Sequence, residues 1–239
     1  MQEKTATQLI KLNYKFYQTF SESFSATRQR LQSGVMQVIK MLPENATILD
    51  LGCGNGNFAL ELAQQNFQGS YTGIDFSEDL VQIAQDQNNP HFSFSTGDLT
   101  SDNWDDGLVS NSYDFILSFA TMHHLPGKSS RLNFLNKVHA LLKPNGQFIH
   151  SNWQFLNSES LKARIQPWDR IDLNQADVDE GDYLMDWRRG GEGLRYVHQY
   201  SSEELHHLAE HSGFKVINEF SSDGRTGNLG LYMIWEKLN

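Results

Sequence analysis

Three glycines alternate with other residues in the segment that follows the first short apolar stretch. Residues 50–56 read D-L-G-C-G-N-G, with glycines at Gly52, Gly54 and Gly56. Glycines at this spacing let backbone amides approach a ligand that side chains would block. A dinucleotide-binding loop has the spacing G-x-G-x-x-G, whereas here the pattern is G-x-G-x-G and Asp50 lies two residues before its first glycine. The loop therefore predicts a ligand site that is not built for a pyrophosphate.

Two further carboxylates follow the next two apolar stretches. Asp75 ends the second stretch, 23 positions after Gly52, where a carboxylate can accept hydrogen bonds from both hydroxyls of a ribose. Asp98 follows the third stretch. Each acid on its own is as typical of a carboxylate that ends a strand or caps a helix as of one that binds a ligand. As an ordered set beside the glycine loop, they predict one binding site.

Strand and helix patterns alternate along this part of the chain. Apolar stretches predict strands at residues 47–51, 70–75, 91–95, 112–119 and 147–151. Helical spacing of apolar residues fills the intervals, for example at residues 131–142. Five such units predict a parallel sheet covered by helices on both faces.

The remaining segments have other patterns. Residues 1–45 precede the first strand and are predicted to form a helical cap. Residues 152–198 are rich in charge and aromatic side chains with weak periodicity, which is typical of an insertion over a ligand site. Ser201 and Glu204 predict a capping box at the start of a helix. Strands predicted at residues 214–220 and 229–235 are close enough in sequence to pair as a hairpin.

Together these motifs resemble the class I S-adenosylmethionine-dependent methyltransferases. The resemblance implies a single Rossmann-like α/β domain over residues 1–239, with a seven-stranded, mostly parallel sheet that ends in an antiparallel hairpin. It implies S-adenosylmethionine as the cofactor, with its methionine amino group near Asp50, its ribose on Asp75 and its adenine near Asp98. The other residues expected around the cofactor are Tyr17, Gly52, Cys53, Gly54, Gly56, Phe76, Leu99, Ser118 and Phe119.

Two adjacent histidines follow the fourth predicted strand. Methyl transfer is an in-line displacement, so a general base is needed only when the nucleophile carries a proton at pH 7. His123 and His124 lie where an acceptor would enter, and are candidates for such a base or for orienting the acceptor. The alternative is that the segment only connects the site to the next helix.

Segments that flank the core resemble a narrower family, the tRNA wobble-uridine methyltransferases that esterify 5-carboxymethyluridine. They comprise Tyr17 and residues 24–28, 123–124, 181–187 and 195–198. The resemblance implies that Arg28 and Arg195 bind an acceptor carboxylate through forked hydrogen bonds. It further implies that His123 or His124 and His198 complete the pocket, and that Tyr17 closes over the cofactor. Eukaryotic members work with a small zinc-binding partner subunit.

Composition limits the remaining possibilities. The single cysteine, Cys53, fits a reducing compartment and excludes a cysteine-rich zinc site in this chain. The chain has neither an apolar run of about 18 residues nor the pattern of a signal peptide, so we expect a cytoplasmic protein that does not enter the membrane. The net charge of −10 argues against a generally basic, nucleic-acid-binding surface, although residues 1–34 and 128–150 carry more basic than acidic groups.

Two alternatives to the tRNA methyltransferase remain open. The first is a methyltransferase for a small molecule, such as a carboxylic acid, a phenol or a quinone precursor. The second is a cofactor-binding module without catalysis, against which the intact Asp50, Asp75 and Asp98 argue.

Overall fold

A computed structural model describes residues 1–25, 30–87 and 89–238. The helices are α1 Glu3–Ser25, α2 Ser33–Ile39, α3 Asn57–Gln64, α4 Glu78–Gln85, α5 Lys128–Leu141, α6 Glu159–Lys162 and α7 Ser202–His211. The strands are β1 Thr47–Leu51, β2 Ser70–Asp75, β3 Phe92–Thr96, β4 Tyr113–Phe119, β5 Leu142–Trp153, β6 Ile165–Gln166, β7 Asp182–Trp187, β8 Gly193–His198, β9 Phe214–Ser222 and β10 Gly230–Lys237. Among the described helices, none is both long enough and apolar enough to cross a bilayer.

Seven strands form the central sheet in the order β3-β2-β1-β4-β5-β10-β9. Neighbours among β1 to β5 are parallel, and β10 runs antiparallel between β5 and β9. This confirms the predicted fold and its closing hairpin. β5 extends beyond the predicted stretch at residues 147–151 at both ends: Leu142 pairs with Tyr113 of β4, and pairing with β10 continues to Trp153. Tertiary pairing, which local sequence does not show, therefore extended that strand.

Alternating side chains separate two apolar clusters on the faces of the sheet. In β5, Phe148 packs into one cluster and Ile149 into the other. In β10, Trp235 and Ile234 divide in the same way. A strand places successive side chains on opposite faces, so a run of consecutive apolar residues fits a sheet covered on both sides.

The helix α7 begins as predicted, but with only half of the capping box. The Ser201 side chain accepts a hydrogen bond from the backbone N–H of Glu204 at 3.0 Å. The Glu204 carboxylate does not return to the backbone of Ser201. It lies 3.0 Å from Nε2 of His198 and 3.4 Å from Arg131, because a buried network of charged and polar groups recruits it.

Between β5 and α7, the chain builds a second sheet that the weak periodicity of residues 152–198 did not predict. Strands β6, β7 and β8 form it in sequence order, all antiparallel. It packs against α1 through a cluster that includes Leu9, Leu184 and Tyr196. Asn13 of α1 accepts a hydrogen bond from the backbone N–H of Tyr196 and donates one to its carbonyl. The helix α1 and this sheet therefore form one packed unit.

A buried network of polar groups joins this second sheet to the main domain. Arg131 of α5 lies 3.2 Å from Asp182 of β7 and donates to the Leu125 carbonyl at 3.1 Å. The same Asp182 oxygen accepts from Tyr196 Oη at 2.8 Å and lies 2.6 Å from Nδ1 of His198. Arg131, Asp182 and His198 are each at most 3% exposed. Loss of one ion would leave its partner buried without a counter-charge.

We expect Arg131→Met to lower the free energy of unfolding by about 3–5 kcal/mol, because the Asp182 carboxylate would remain buried without its cation. Urea unfolding followed by circular dichroism measures this change. Lys128→Met is the control, since Lys128 is exposed on the same helix, and it should change stability by no more than about 0.5 kcal/mol. Equal losses in the two variants would contradict a structural role for the network.

Candidate cofactor and acceptor site

A cavity of about 700 Å³ opens at the carboxyl ends of β1, β2, β4 and β5. The strand order reverses at β1, whose neighbours are β2 on one side and β4 on the other. Loops leaving β1 and β4 therefore diverge, and this is where open α/β sheets bind ligands. The side chains and backbone of α1 and of the second sheet close the cavity from above.

The glycine loop forms the floor of the cavity. Backbone N–H groups of Gly52 and Cys53 both donate to the carbonyl of Ile74, which fixes the loop to the end of β2. Gly52 has φ +88°, and a Cβ there would lie 2.1 Å from the Thr121 hydroxyl. Gly54 has φ +56°, and a Cβ there would meet nothing within 4 Å. Glycine at position 52 is therefore required by packing, while glycine at position 54 keeps open space over the loop.

Backbone hydrogen bonds hold the Asp75 carboxylate at the edge of this loop. One oxygen accepts from the N–H of Gly54 at 2.9 Å, and the other from the N–H of Ser77 at 3.0 Å. Each carboxylate oxygen has a second lone pair, so Asp75 can still accept two hydroxyl groups. Burial raises the pKa of Asp75, and the backbone hydrogen bonds partly oppose this.

Asp50 lies at the deepest part of the loop and is 2% exposed. One oxygen accepts a hydrogen bond from the Tyr71 hydroxyl at 2.6 Å, and the other has no partner among the residues that the structure describes. Burial raises the pKa of Asp50 to about 7, the Tyr71 hydrogen bond lowers it, and the nearby Asp75 raises it further. A cationic ligand would satisfy the second oxygen and restore the charge of the carboxylate.

Asp98 and Leu99 form the wall beyond β3, and both border the cavity. One Asp98 oxygen accepts from the backbone N–H and the hydroxyl of Thr100, at 2.9 and 2.7 Å, which fixes the turn. Opposite this wall, Phe76 packs edge-on against Tyr17 of α1, with ring centroids 5.4 Å apart. Leu99 and Phe76 thus give the cavity apolar surface at the ends of β3 and β2.

The two histidines after β4 border the cavity but differ in their surroundings. Nε2 of His124 lies 2.6 Å from the Tyr17 hydroxyl, and its Nδ1 lies 3.3 Å from both the Asn13 amide nitrogen and the Tyr196 carbonyl. His124 therefore contacts α1 through both nitrogens and β8 through Nδ1. His123 is 3% exposed, and its ring lies 4.2 Å from that of His124.

Arg195 of β8 borders the cavity while being only 5% exposed. Its guanidinium carbon lies 5.0 Å from the Trp153 ring centroid, 5.4 Å from that of Phe16 and 5.7 Å from that of Trp187. Burial lowers the pKa of Arg195, and Tyr17 opposes this. Arginine remains a cation at neutral pH even when burial lowers its pKa. This wall of the cavity therefore carries a positive charge that lies over aromatic rings.

Several residues proposed from the sequence do not border the cavity. Ser118 is fully buried within β4, and its neighbour Phe119 borders the cavity instead. Gly56 precedes α3, where a Cβ would meet Ala84 of α4. His198 points into the buried network with Asp182 and Glu204, because the side chains of β8 alternate between faces. Arg28 lies outside the described residues.

The cavity also includes residues that the sequence analysis missed. They are contributed mainly by α1, the end of β5 and the second sheet, and include Asn13, Asn152, Trp153, Arg164, Trp187 and Arg189. Asn152 and Trp153 could have been found, because they end a parallel strand beside the predicted site. The others depend on how α1 and the second sheet fold over the domain, which no local pattern shows.

The residues present fit S-adenosylmethionine. The unsatisfied Asp50 oxygen suits its ammonium group, the oriented Asp75 carboxylate suits its ribose, and the open space above Gly54 leaves room for the chain between them. Among the described residues, no group of three or more histidine, cysteine or acidic side chains is placed to hold a metal ion.

Solved structures with the same fold are methyltransferases. A SAM-dependent methyltransferase from Methanosarcina mazei is 24% identical, with a TM-score of 0.66 over 84% of this chain and 97% of that one. A Haloferax volcanii methyltransferase candidate, solved with the Trm112 methyltransferase activator, is 16% identical, with a TM-score of 0.65 over 92% of this chain and 94% of that one. At these identities the likeness establishes the fold.

Relatives in sequence are methyltransferases that act on different acceptors. A methyltransferase candidate of Encephalitozoon cuniculi is 28% identical over 94% of both chains. A protein-lysine N-methyltransferase of Saccharomyces cerevisiae is 31% identical over 51% of this chain and 57% of its own length. The tRNA (carboxymethyluridine(34)-5-O)-methyltransferase of Mus musculus is 28% identical over 68% of this chain. The match spans only 24% of the mouse protein's length.

A family model described as a methyltransferase domain matches residues 24–219. The match includes the glycine loop, all five parallel strands and all three strands of the second sheet. It agrees with the sheet order and with a cavity that fits the cofactor. The chain therefore belongs to the methyltransferase-domain family and is a methyltransferase that uses S-adenosylmethionine.

Proposed function

We propose that this methyltransferase transfers its methyl group to a carboxylate oxygen, and that the acceptor is the carboxymethyl group of a modified wobble uridine in tRNA. The observation that carries the proposal is the buried Arg195 guanidinium at the cavity wall formed by β8 and the neighbouring aromatic rings. An arginine can bind a carboxylate through two parallel hydrogen bonds. The likeness to the mouse tRNA methyltransferase supports the same acceptor.

The charges that border the cavity are divided between its walls. Asp50 near the end of β1, Asp75 at the end of β2 and Asp98 after β3 border the side of the cavity proposed for the cofactor. The second sheet and its flanks contribute Arg164, Arg189 and Arg195. Arg164 is paired with Asp186 at 2.9 Å, whereas the Arg195 guanidinium lies over the rings of Trp153, Phe16 and Trp187. A cationic wall attracts an anionic acceptor and disfavours a lysine side chain.

A carboxylate acceptor also suits the histidines. It is ionised at neutral pH and needs binding and alignment, but no base. His124 contacts Tyr17 of α1 through Nε2 and the Tyr196 carbonyl of β8 through Nδ1, which makes it a positioning residue. When bound, S-adenosylmethionine supplies a methyl group on a sulfonium. Arg195 and the aromatic rings around it would hold the acceptor in line and exclude water from it.

The residue assignments at the cofactor belong to this proposal. Asp50 would bind the ammonium group, Asp75 the ribose hydroxyls and Asp98 the adenine amino group. Phe76 and Leu99 would flank the adenine, and Tyr17 would cover the cofactor. The glycine loop, with Gly52, Cys53 and Gly54, would contact the part of the cofactor between its methionine and its ribose. Burial raises the pKa of the Cys53 thiol, so Cys53 fills the loop as a neutral group.

The remaining assignments concern the segments around the acceptor, a partner subunit and the location of the protein. Residues 1–45 and 152–198 would act as a cap and an insertion that shape the acceptor side, which agrees with the contacts of α1 and β8 at Asn13. A small partner subunit, of the kind seen with the Haloferax protein, would assist binding of tRNA. A cytoplasmic location is part of the same proposal.

We expect Asp75→Asn to weaken binding of S-adenosylhomocysteine by about 10- to 100-fold, because a charged acceptor of two hydroxyl hydrogen bonds is lost. Isothermal titration calorimetry measures the affinity. Asp79→Asn is the control, since Asp79 is exposed in the first turn of α4. An unchanged affinity in Asp75→Asn would remove the ribose assignment.

The pKa of about 7 predicts a pH dependence of cofactor binding. Asp50 must be ionised to bind an ammonium group, and at pH 6 only about a tenth of it would be ionised in the unliganded protein. The dissociation constant for S-adenosylhomocysteine should therefore fall about fivefold or more between pH 6 and pH 7.5. Calorimetry at several pH values tests this, and Asp50→Asn should bind weakly with a flatter profile. An equal pH dependence in Asp50→Asn would assign the titration to another group.

The acceptor can be identified by label transfer. We would incubate the protein with methyl-labelled S-adenosylmethionine and either total tRNA or a small-metabolite extract, both from cells that lack the gene, with and without a Trm112-type activator. A label on tRNA that mild base releases as methanol is the result expected for a nucleoside ester. A label found only among small acids would reject tRNA and retain the carboxylate.

Arg195→Met should lower methyl transfer to that acceptor by about 100-fold or more while S-adenosylhomocysteine still binds, because the acceptor carboxylate loses its charged partner. Arg225→Met is the matched control, since Arg225 is exposed and does not border the cavity. Steady-state rates and calorimetry separate the two effects. Full activity of Arg195→Met would exclude a carboxylate bound at this wall.

A further inference from the structure

Asn152 at the carboxyl end of β5 borders the cavity and is 1% exposed. Its Nδ2 lies 3.0 Å from Nδ1 of His150. Its Oδ1 has no hydrogen-bond partner among the residues that the structure describes. A buried acceptor without a partner reduces stability, and proteins retain few of them. A ligand in the cavity would supply the missing donor.

His150 fixes the direction of this amide. It lies two residues earlier on the same face of β5, with its ring 4.6 Å from that of Phe148 and 4.5 Å from that of Trp235. Burial lowers the pKa of His150 to about 3, so the ring is neutral at pH 7. Asn152 Nδ2 lies 3.0 Å from Nδ1 of this ring, so Nδ1 accepts from the amide N–H in the tautomer that carries its hydrogen on Nε2, and Oδ1 is then the amide atom that needs a donor.

The surroundings of Asn152 indicate which molecule would supply that donor. Its neighbour in sequence is Trp153, whose ring lies 5.0 Å from the Arg195 guanidinium and 6.2 Å from the His123 ring. Asn152, Trp153 and Arg195 all border the same cavity, so an acceptor whose carboxylate meets Arg195 would lie against an aromatic ring within the space that Asn152 also borders. Flat aromatic walls favour a planar ring over an aliphatic chain.

We propose that Asn152 determines acceptor specificity, with its Oδ1 accepting a hydrogen bond from an imide or amide N–H on a planar ring that also carries the reacting carboxylate. This inference rests on the proposed function for the position of the carboxylate. A site built around such a hydrogen bond discriminates strongly against analogues that lack the donor, because its own polar group is then left unpaired.

The test uses two synthetic probes, uracil-5-acetic acid and its N3-methyl derivative, titrated by calorimetry into protein saturated with S-adenosylhomocysteine. The wild type should bind the N–H probe at least about tenfold more tightly. Asn152→Ala and Asn152→Leu should each weaken binding of the N–H probe by about tenfold and leave the N-methyl probe unchanged. Asn157→Ala is the control, since Asn157 is exposed and does not border the cavity, and it should match the wild type.

Two outcomes would overturn the inference. If the discrimination is steric, Asn152→Ala will improve binding of the N-methyl probe and leave the N–H probe unchanged. Failure of the wild type to bind either probe would also reject it. Asn152→Leu keeps the side-chain volume, so it provides the same comparison if Asn152→Ala melts at a lower temperature. The label-transfer experiment with tRNA and small acids tests the proposed function without using Asn152, so failure of that function and failure of this inference can be distinguished.

Discussion

The reversal of strand order at β1 is the constraint on which the rest of the site depends. Chain segments that leave β1 and β4 must pass to opposite faces of the sheet, so their loops separate and leave a cleft at the carboxyl ends of the strands. The glycine loop, Asp75 and the histidines enter this cleft because each follows a parallel strand. The hydrogen bond from Gly54 to Asp75 then joins two of these loops into one rigid floor.

Closure of the cleft depends on elements outside the parallel sheet. Asn13 and Tyr17 of α1 contact His124, and Asn13 also pairs with the backbone of Tyr196 in β8. The buried network around Arg131 and Asp182 fixes the same second sheet to α5. These polar contacts are buried or half-buried and join three elements, so they specify one position for the wall of the cavity that contains Arg195.

The resulting cavity has one acidic and one cationic side. Asp50 and Asp75 are buried where a cationic ligand would compensate them, and Arg195 is buried where an anionic ligand would. The displacement that we propose joins a carboxylate to the methyl group of a sulfonium and so removes both charges. Dividing the protein's own charges in this way binds the two reactants on opposite sides of the cavity, so that the carboxylate oxygen can be aligned with the methyl group.

The sequence by itself determined the fold class, the cofactor family and the floor of the site. Alternating apolar stretches and a D-x-G-x-G-x-G loop depend on residues close together in the chain, so local pattern was enough to predict them. The wall of the cavity that contains Arg195 depends on contacts between residues far apart in the sequence, such as Tyr17 with His124 and Asn13 with Tyr196. The same is true of His198. The resemblance to the tRNA methyltransferases placed it in the pocket, but in β8 its side chain points into the buried network with Asp182. Only the tertiary structure decided these positions, because the face on which a side chain lies depends on register and packing, which no spacing along the chain records.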